Sequence, residues 1–310
     1  MNKVVIVGAN GFIGCHLCLH LATHGYQVIA LVQRGHPYDF IQNKDNITCL
    51  DFSFDDLHLL NGNPNLVGAK MLYHLAWAGV STTYKNEAIT QAQNILYGIK
   101  VLEFSKANGI HRVIFPGSAS EYACGKGVID GLNIPAPSDI YSAAKVATRY
   151  VCQTYARQLN IQFLWATITS IYGPGRNDNN LISYAIKTLL QGDKPSFTGL
   201  EQHWDYLYID DLMSALQAIG EKGIDGKNYP VGSGEHKQMA EYVKILRDKI
   251  DPTLPLGIGD LPYKNKNIDN QVLDITALKA DTGFAPKFTF EQGIDLTINY
   301  FKHLRTKQTI

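Results

Sequence analysis

Short apolar runs and helix-period segments alternate through the first half of the chain. Val4–Val7 is a continuous apolar run, which fits a strand covered on both faces. Gly11–His24 carries a helical pattern that Gly25 would end. Gln27–Val32, Ile47–Leu50, Met71–Leu75, Arg112–Pro116 and Phe163–Ile168 repeat the strand pattern, while Glu87–Asn108 and Tyr141–Leu159 repeat the helical one. Parallel strands need crossover helices, so this alternation predicts an α/β fold with a doubly wound parallel sheet. After Tyr172 the pattern breaks in a run of Gly, Pro, Asn and Asp, Gly173–Asn180, that reads as a loop. Leu181–Leu190, Asp210–Ile219, Met239–Ile250 and Phe290–Leu304 then read as helices, Trp204–Ile209 as a short strand, and Tyr229–Gly234 as a strand and turn. The predicted division is a sheet domain from 1–169 plus 204–222 and a smaller C-terminal α/β substrate lobe from 170–203 plus 223–310.

Composition narrows the class. The 310 residues are 45% apolar and 18% charged, which suits a packed core and argues against disorder or a coiled coil. Lys plus Arg and Asp plus Glu both number 28, so no net charge draws the chain to nucleic acid or an anionic membrane. Apolar runs fall short of the roughly 20 residues that span a bilayer, and Val4–Val7 reads as a strand, not the core of a signal peptide. The five cysteines, Cys15, Cys18, Cys49, Cys124 and Cys152, are odd in number and form no paired zinc-type set. They are expected to be reduced thiols in a cytoplasmic protein without a metal site.

The candidate chemistry begins at Gly8-Ala9-Asn10-Gly11-Phe12-Ile13-Gly14, between the first strand and the first helix. In such a turn the first glycine permits the bend, the second lets the backbone approach a pyrophosphate, and the third allows close helix–strand packing. The helix N-terminus adds free N–H groups and partial positive charge. The spacing G-x-x-G-x-x-G, with Tyr141-Ser142-Ala143-Ala144-Lys145 downstream, resembles the extended short-chain dehydrogenase/reductase family, the NAD-dependent epimerase/dehydratase type. His74-Leu75-Ala76, Tyr172-Gly173-Pro174-Gly175, Asp205–Asp211 and Gly232-Ser233-Gly234-Glu235 extend the resemblance over essentially the whole chain. It implies a Rossmann-type dinucleotide domain, a nucleoside-diphosphate sugar as substrate and a homodimer paired through the outer faces of the two long helices.

The resemblance also implies cofactor positions: Gly8, Gly11, Phe12, Ile13 and Gly14 in the turn, Ala76 after the fourth strand, Asp51 at the adenine amino group with Phe52 beside it, and Asn94, which could equally be a polar residue on a helix surface. An acidic residue ending the second strand would select NAD. Here Val32 stands in that place and Arg34 follows, a guanidinium able to pair with a 2′-phosphate, so NADP(H) is expected over NAD.

Tyr141 and Lys145 lie four apart and share a helix face, where an ammonium would lower a phenol's pKa from its ordinary value of about 10. Ser118, 23 positions before Tyr141, can polarise a carbonyl. Family 4,6-dehydratases carry Asp-Glu directly after that serine; here Ala119 and Ser120 follow, and Glu121 on a strand-like stretch would face the opposite side. The epimerising reductases carry Cys where Ser120 stands. Hydride chemistry at a sugar carbon remains. Gln202–Asp211 and His74–Gly79 most resemble nucleotide-deoxysugar 4-ketoreductases of the abequose synthase or dTDP-fucose-forming type.

The expected reaction is therefore NADPH-dependent reduction of a nucleoside-diphosphate-4-keto-6-deoxyhexose. A 4-epimerase with recycled NAD is the first alternative and a non-catalytic NADP-sensing protein the second. Ser120, Ser170, Arg176 and Trp204 are the expected substrate positions. Many epimerases of the family resembled carry an Arg for the diphosphate where Trp204 stands. Either another cation takes over, with Arg176 and Lys187 the nearest, or the sugar nucleotide sits differently, and Trp204 could equally be plain packing between lobes.

Overall fold

The structure is a computed structural model that describes residues 2–80, 84–123, 127–176, 180–263 and 270–308. Cys124 and the loop residues 177–179 lie outside the described residues. In chain order the elements are β1 (Lys3–Val7), α1 (Phe12–Thr23), β2 (Gln27–Gln33), β3 (Ile47–Phe52), β4 (Ala69–His74), α2 (Ala88–Ala107), β5 (Arg112–Ser118), α3 (Ile140–Leu159), β6 (Gln162–Ile168) and β7 (Ser170–Tyr172). Then follow α4 (Leu181–Leu190), β8 (Ser196–Phe197), β9 (His203–Trp204), β10 (Tyr206–Tyr208), α5 (Ile209–Lys222), β11 (Asn228–Val231), β12 (Lys237–Gln238), α6 (Met239–Ile250), β13 (Gly257–Ile258), α7 (Thr276–Thr282) and α8 (Phe290–Gln308).

Seven parallel strands form the central sheet in the order β11-β6-β5-β4-β1-β2-β3. Alternate residues of one strand enter different cores. Val4 and Ile6 of β1 pack on the side of Leu17 and Leu21 of α1 and Leu212 and Leu216 of α5. Val5 and Val7 pack on the side of Val101 and Leu102 of α2 and Cys152 and Ala156 of α3. Both faces are covered, which is why these strands read as unbroken apolar runs. The strand order reverses between β1 and β4, and at such a switch point the diverging loops open a crevice at the carboxyl ends of the strands.

Two expectations are corrected. Asn228–Val231, placed in the substrate lobe by its sequence position, is an edge strand of the central sheet and pairs with β6. Trp204–Ile209 is not one strand: His203–Trp204 pairs antiparallel with Lys237–Gln238, while Tyr206–Tyr208 pairs parallel with Ser170–Tyr172. Asp205 sits at the break between them. Helices α4, α6 and α8 contribute Ile186, Val243 and Ile294 to the same apolar cluster as α1 and α5, so the C-terminal segments are anchored on that face of the sheet. Among the described residues no helix is long and apolar enough to cross a membrane.

Candidate active site

The glycine turn leaves β1 at the switch point. Gly8 has φ of +84°, and a Cβ there would lie 2.6 Å from the Ala76 backbone nitrogen, so a side chain is excluded by both conformation and space. Ala76 is thereby held against the turn. At Gly14 a Cβ would come 2.1 Å from the Gly8 carbonyl oxygen. Gly11 differs: its φ is −77°, and the nearest atom to a Cβ would be 3.4 Å away. Nothing inside the protein requires glycine there, and the position is exposed. No side chain caps α1 and its first turn carries no acid, so the N–H groups around Phe12 and Ile13 are left for an anion. These residues fit the pyrophosphate of a dinucleotide.

At the ends of β2 and β3, where the adenosine was expected, Val32 is fully buried and Asp51 is exposed. Arg34 is exposed and its Nη1 is 2.9 Å from Asp56 Oδ2, a carboxylate not singled out by the sequence reading. Phe52, beside Asp51, is 2% exposed and its ring packs edge-on against Phe54, so only its backbone faces the strand end. Asn94 is buried, not on a helix surface. Its amide accepts from the Ala78 N–H at 2.8 Å and donates to the Ala78 and Thr90 carbonyls at 3.0 Å. One helical turn earlier, Gln91 accepts from the Trp77 indole at 3.0 Å and donates to the carbonyls of Gly79 and Tyr84. Two amides of α2 thus pin the loop that follows Ala76.

Ser118 ends β5, and Tyr141 and Lys145 occupy the first turns of α3. Asp139 caps that helix: its Oδ1 accepts from the Ser142 N–H at 2.7 Å. Tyr141 is half-buried, and the Ser118 side chain favours its ionised form. The Ser118 and Ser120 hydroxyl oxygens are 2.8 Å apart. Lys145 is 4% exposed; its ammonium donates to the Pro116 carbonyl at 2.9 Å and lies 3.6 Å from the centre of the Trp77 ring.

The expected lowering of the Tyr141 pKa is corrected. Burial holds the phenol above its ordinary range, and the influence of the Ser118 side chain only partly offsets this. The Lys145 ammonium is 5.8 Å from the Tyr141 ring centre and turned toward Pro116 and Trp77, whereas Lys85 is 4.9 Å away. Trp77 entered the sequence reading only within the His74–Gly79 resemblance, with no role of its own, and Lys85 not at all, because a single aromatic or lysine in a loop carries no spacing signal.

Glu121 is the largest departure from the sequence reading. The chain does not continue as a strand after Ser118 but winds into a 3₁₀ turn, Ala119–Tyr122, that carries Glu121 back under the strand end. Its carboxylate is fully buried and accepts from the Ser118 N–H at 2.7 Å.

Of the substrate positions, Trp204 and Ser170 meet directly, the indole donating to the serine hydroxyl at 2.9 Å. Arg176 donates to the Ile171 carbonyl and lies 5.9 Å from the Phe12 ring, beside the glycine turn. Lys187 is set instead against Phe301 of α8. Asp205 is fully buried and accepts from the Ser233 N–H, the Ser233 hydroxyl and the Gly234 N–H, so it serves the turn after β11. Among the described residues no group of three or more His, Cys, Asp or Glu could hold a metal ion.

The model of the NAD dependent epimerase/dehydratase family matches residues 4–232. Over its full length the chain is similar to curated and solved proteins. It is 23% identical to Protein CapI of Staphylococcus aureus, with 96% of this chain and 98% of that protein covered. It is 24% identical to GDP-mannose 3,5-epimerase 1 of Oryza sativa subsp. japonica, covering 99% and 83%. The crystal structure of UDP-glucose 4-epimerase with UDP-glucose from Thermotoga maritima superposes with a TM-score of 0.84 at 25% identity, covering 98% of this chain and 99% of that one.

Proposed function

Within the NAD-dependent epimerase/dehydratase family, to which this chain belongs, we propose that it reduces a nucleoside-diphosphate-4-keto-6-deoxyhexose with NADPH. The observation that carries hydride chemistry is the convergence of Ser118, Tyr141 and Lys145 at the carboxyl end of β5, beside a glycine turn fitted to a dinucleotide. When bound, the dihydronicotinamide supplies the hydride. The Ser118 hydroxyl, steadied by Ser120, donates to the C4 oxygen and polarises the carbonyl. Tyr141 gives that oxygen its proton, and the Lys145 ammonium lowers the cost of the phenolate left behind. Ser170 and Trp204 frame the sugar-nucleotide side, and Arg176 offers a cation to the diphosphate.

Elimination of water has little support: Ala119 is buried, Ser120 is bound to Ser118, and Glu121 is shut inside. NADP(H) is supported by the absence of a carboxylate at Val32 and by Arg34 at the strand end. A 4-epimerase working through recycled NAD is favoured by a different observation. The carboxylate of Asp56, beside Arg34, could serve ribose hydroxyls instead. A homodimer belongs to the same proposal, supported by exposed Leu96 of α2 and Tyr150 and Val151 of α3.

The test is cofactor oxidation against a panel of CDP-, dTDP- and GDP-linked 4-keto-6-deoxyhexoses, with NADPH and NADH in parallel. Oxidation matched one-for-one by product, faster with NADPH, is the expected result. No oxidation with any of them, together with conversion of a 4-hydroxy sugar nucleotide to its C4 epimer, would replace the reductase by the epimerase.

A further inference from the structure

Glu121 is a carboxylate with zero exposure whose hydrogen-bond donors are all neutral. The Ser118 N–H reaches Oε1 at 2.7 Å, and the Trp165 indole N–H is 3.3 Å from both oxygens. A charge taken out of water into such surroundings is costly unless an opposite charge is near. The space for it is made by Gly117, where a Cβ would stand 2.6 Å from Glu121 Oε1 and 2.1 Å from the Trp165 nitrogen. Lys145 presents the complementary problem two residues away on the same strand end, where its ammonium holds the Pro116 carbonyl while Glu121 holds the Ser118 N–H. It is 4% exposed, and its partners are a carbonyl oxygen and an aromatic face.

We propose that Glu121 is a positioning residue: its fixed carboxylate is the counter-charge that keeps Lys145 an ammonium ion behind Tyr141. The proposal rests on the reading of Tyr141 and Lys145 as the proton-handling pair.

The groups around Lys145 support the assignment. From β4 comes His74, whose Nδ1 has no partner and whose pKa is pushed down to about 3 by burial first and by the Lys145 charge second. A neutral imidazole supplies no counter-charge. From α3 come Tyr141 itself and Arg149, which adds a second positive field at Glu121. Lys85 and Arg176 lie on the Tyr141 side and are cations. Asp139 is committed to capping α3 through Ser142. Burial lowers the Lys145 pKa and raises that of Glu121, and in each case the partner's charge works against the burial effect. The Glu121 charge acts on Tyr141 directly in the opposite sense, raising its pKa, so any help it gives Tyr141 runs through Lys145. That lysine can ease the ionisation only while it is charged, and Glu121 sets the pH at which the site loses that help. The same carboxylate fixes the backbone of Ser118, so one buried group acts on two members of the Ser118, Tyr141 and Lys145 set: on Ser118 by a hydrogen bond and on Lys145 by its charge.

Glu121→Gln removes the charge and retains an oxygen for the Ser118 and Trp165 donors. The decisive reading is a carbon-13 NMR titration of protein labelled at the lysine ε-carbon, without cofactor or substrate. The Lys145 resonance is identified by its loss in Lys145→Met. The expected result is a Lys145 midpoint at least about one pH unit lower in Glu121→Gln, a tenfold change in proton affinity. With an active substrate, the alkaline limb of kcat moves by the same amount while KM changes little. An unchanged midpoint in a variant that unfolds like wild type would overturn the proposal and leave Glu121 as a cap for Ser118. Should Glu121→Gln fail to fold, the reciprocal titration decides: the Glu121 carboxyl midpoint rises by at least about one unit in Lys145→Met if the charges are coupled, and stays put if they are not. Because these titrations need no substrate, they fail independently of the reductase reading, which the panel assay tests.

Discussion

Burial of Tyr141 works against the ionisation its role requires, so the proton it transfers must be worth the cost to the transition state. Tyr141→Phe keeps the ring, its edge contact with Trp77 and its place beside Lys145. It should lower kcat by about 10²–10⁴-fold, with the dissociation constant of the dinucleotide changed by less than about threefold, as read by turnover and equilibrium titration. Near-normal turnover would mean that another group delivers the proton. Arg34 gives a second case in which magnitudes decide. Its pair with Asp56 is exposed and contributes about 1 kcal/mol at most, whereas a hydrogen bond to a charged phosphate is worth about 1.5–3 kcal/mol. A 2′-phosphate would therefore take the guanidinium from Asp56. Arg34→Ala should reduce the preference for NADPH over NADH by about 10- to 100-fold, and Asp56→Ala should increase it. If both variants leave the ratio of kcat/KM values unchanged, Arg34 is a solvated surface residue. That Ser118, Tyr141 and Lys145 lie at one strand end was legible because a strand end and a helix face fix their directions. The inward turn of Glu121 was not, because it depends on where the strand stops.

Elements place these residues through their ends and their neighbours. Helix α3 starts where Asp139 caps it, and two residues later it presents Tyr141. Helix α2 acts from its side: Gln91 and Asn94 hold the loop at Trp77–Gly79, and that loop holds Lys145 through the Trp77 ring. Asn94→Ala removes the donor and the acceptor that Ala78 uses, leaving an N–H and a carbonyl without partners. The expected loss is about 1–3 kcal/mol of unfolding free energy, measured by urea denaturation, together with weaker dinucleotide binding because Ala76 is no longer held at the glycine turn. Stability and binding both equal to wild type would remove the loop from the cofactor site. At this scale the periodic segments were readable, Leu181–Leu190 and Met239–Ile250 to the residue. The strand at Asn228–Val231 was recognised, but not its partner, because pairing with β6 joins positions some sixty residues apart and leaves no trace in local pattern. The two- and three-residue strands of the C-terminal segments are too short to show any period and exist through tertiary pairing.

For the molecule as a whole, the doubly wound sheet was legible because covering both faces forces apolar runs, but the joint between its parts was not. That joint is Asp205. Its carboxylate receives two N–H groups and a hydroxyl from the turn after β11, its carbonyl accepts from Thr169 at 2.6 Å, and Gly232 leaves it room, since a Cβ there would come within 2.4 Å of Oδ2. Despite these donors, burial is the stronger influence and pushes its pKa up from 3.8 to about 6. The folded protein therefore holds a proton that the unfolded chain releases between pH 3.8 and about 6. Stability from this group is full below that window and is lost as pH rises through it. At 1.36 kcal/mol per unit the change amounts to about 3 kcal/mol. Asp205→Asn cannot titrate, so the difference in unfolding free energy between wild type and this variant, followed in urea from about pH 4 to about pH 7, isolates the effect. Wild type should lose ground steadily as pH rises, and the loss should stop near neutrality. A difference that stays flat, or that grows with pH, would show that the three donors outweigh burial and that the joint is held by an ion over the whole range.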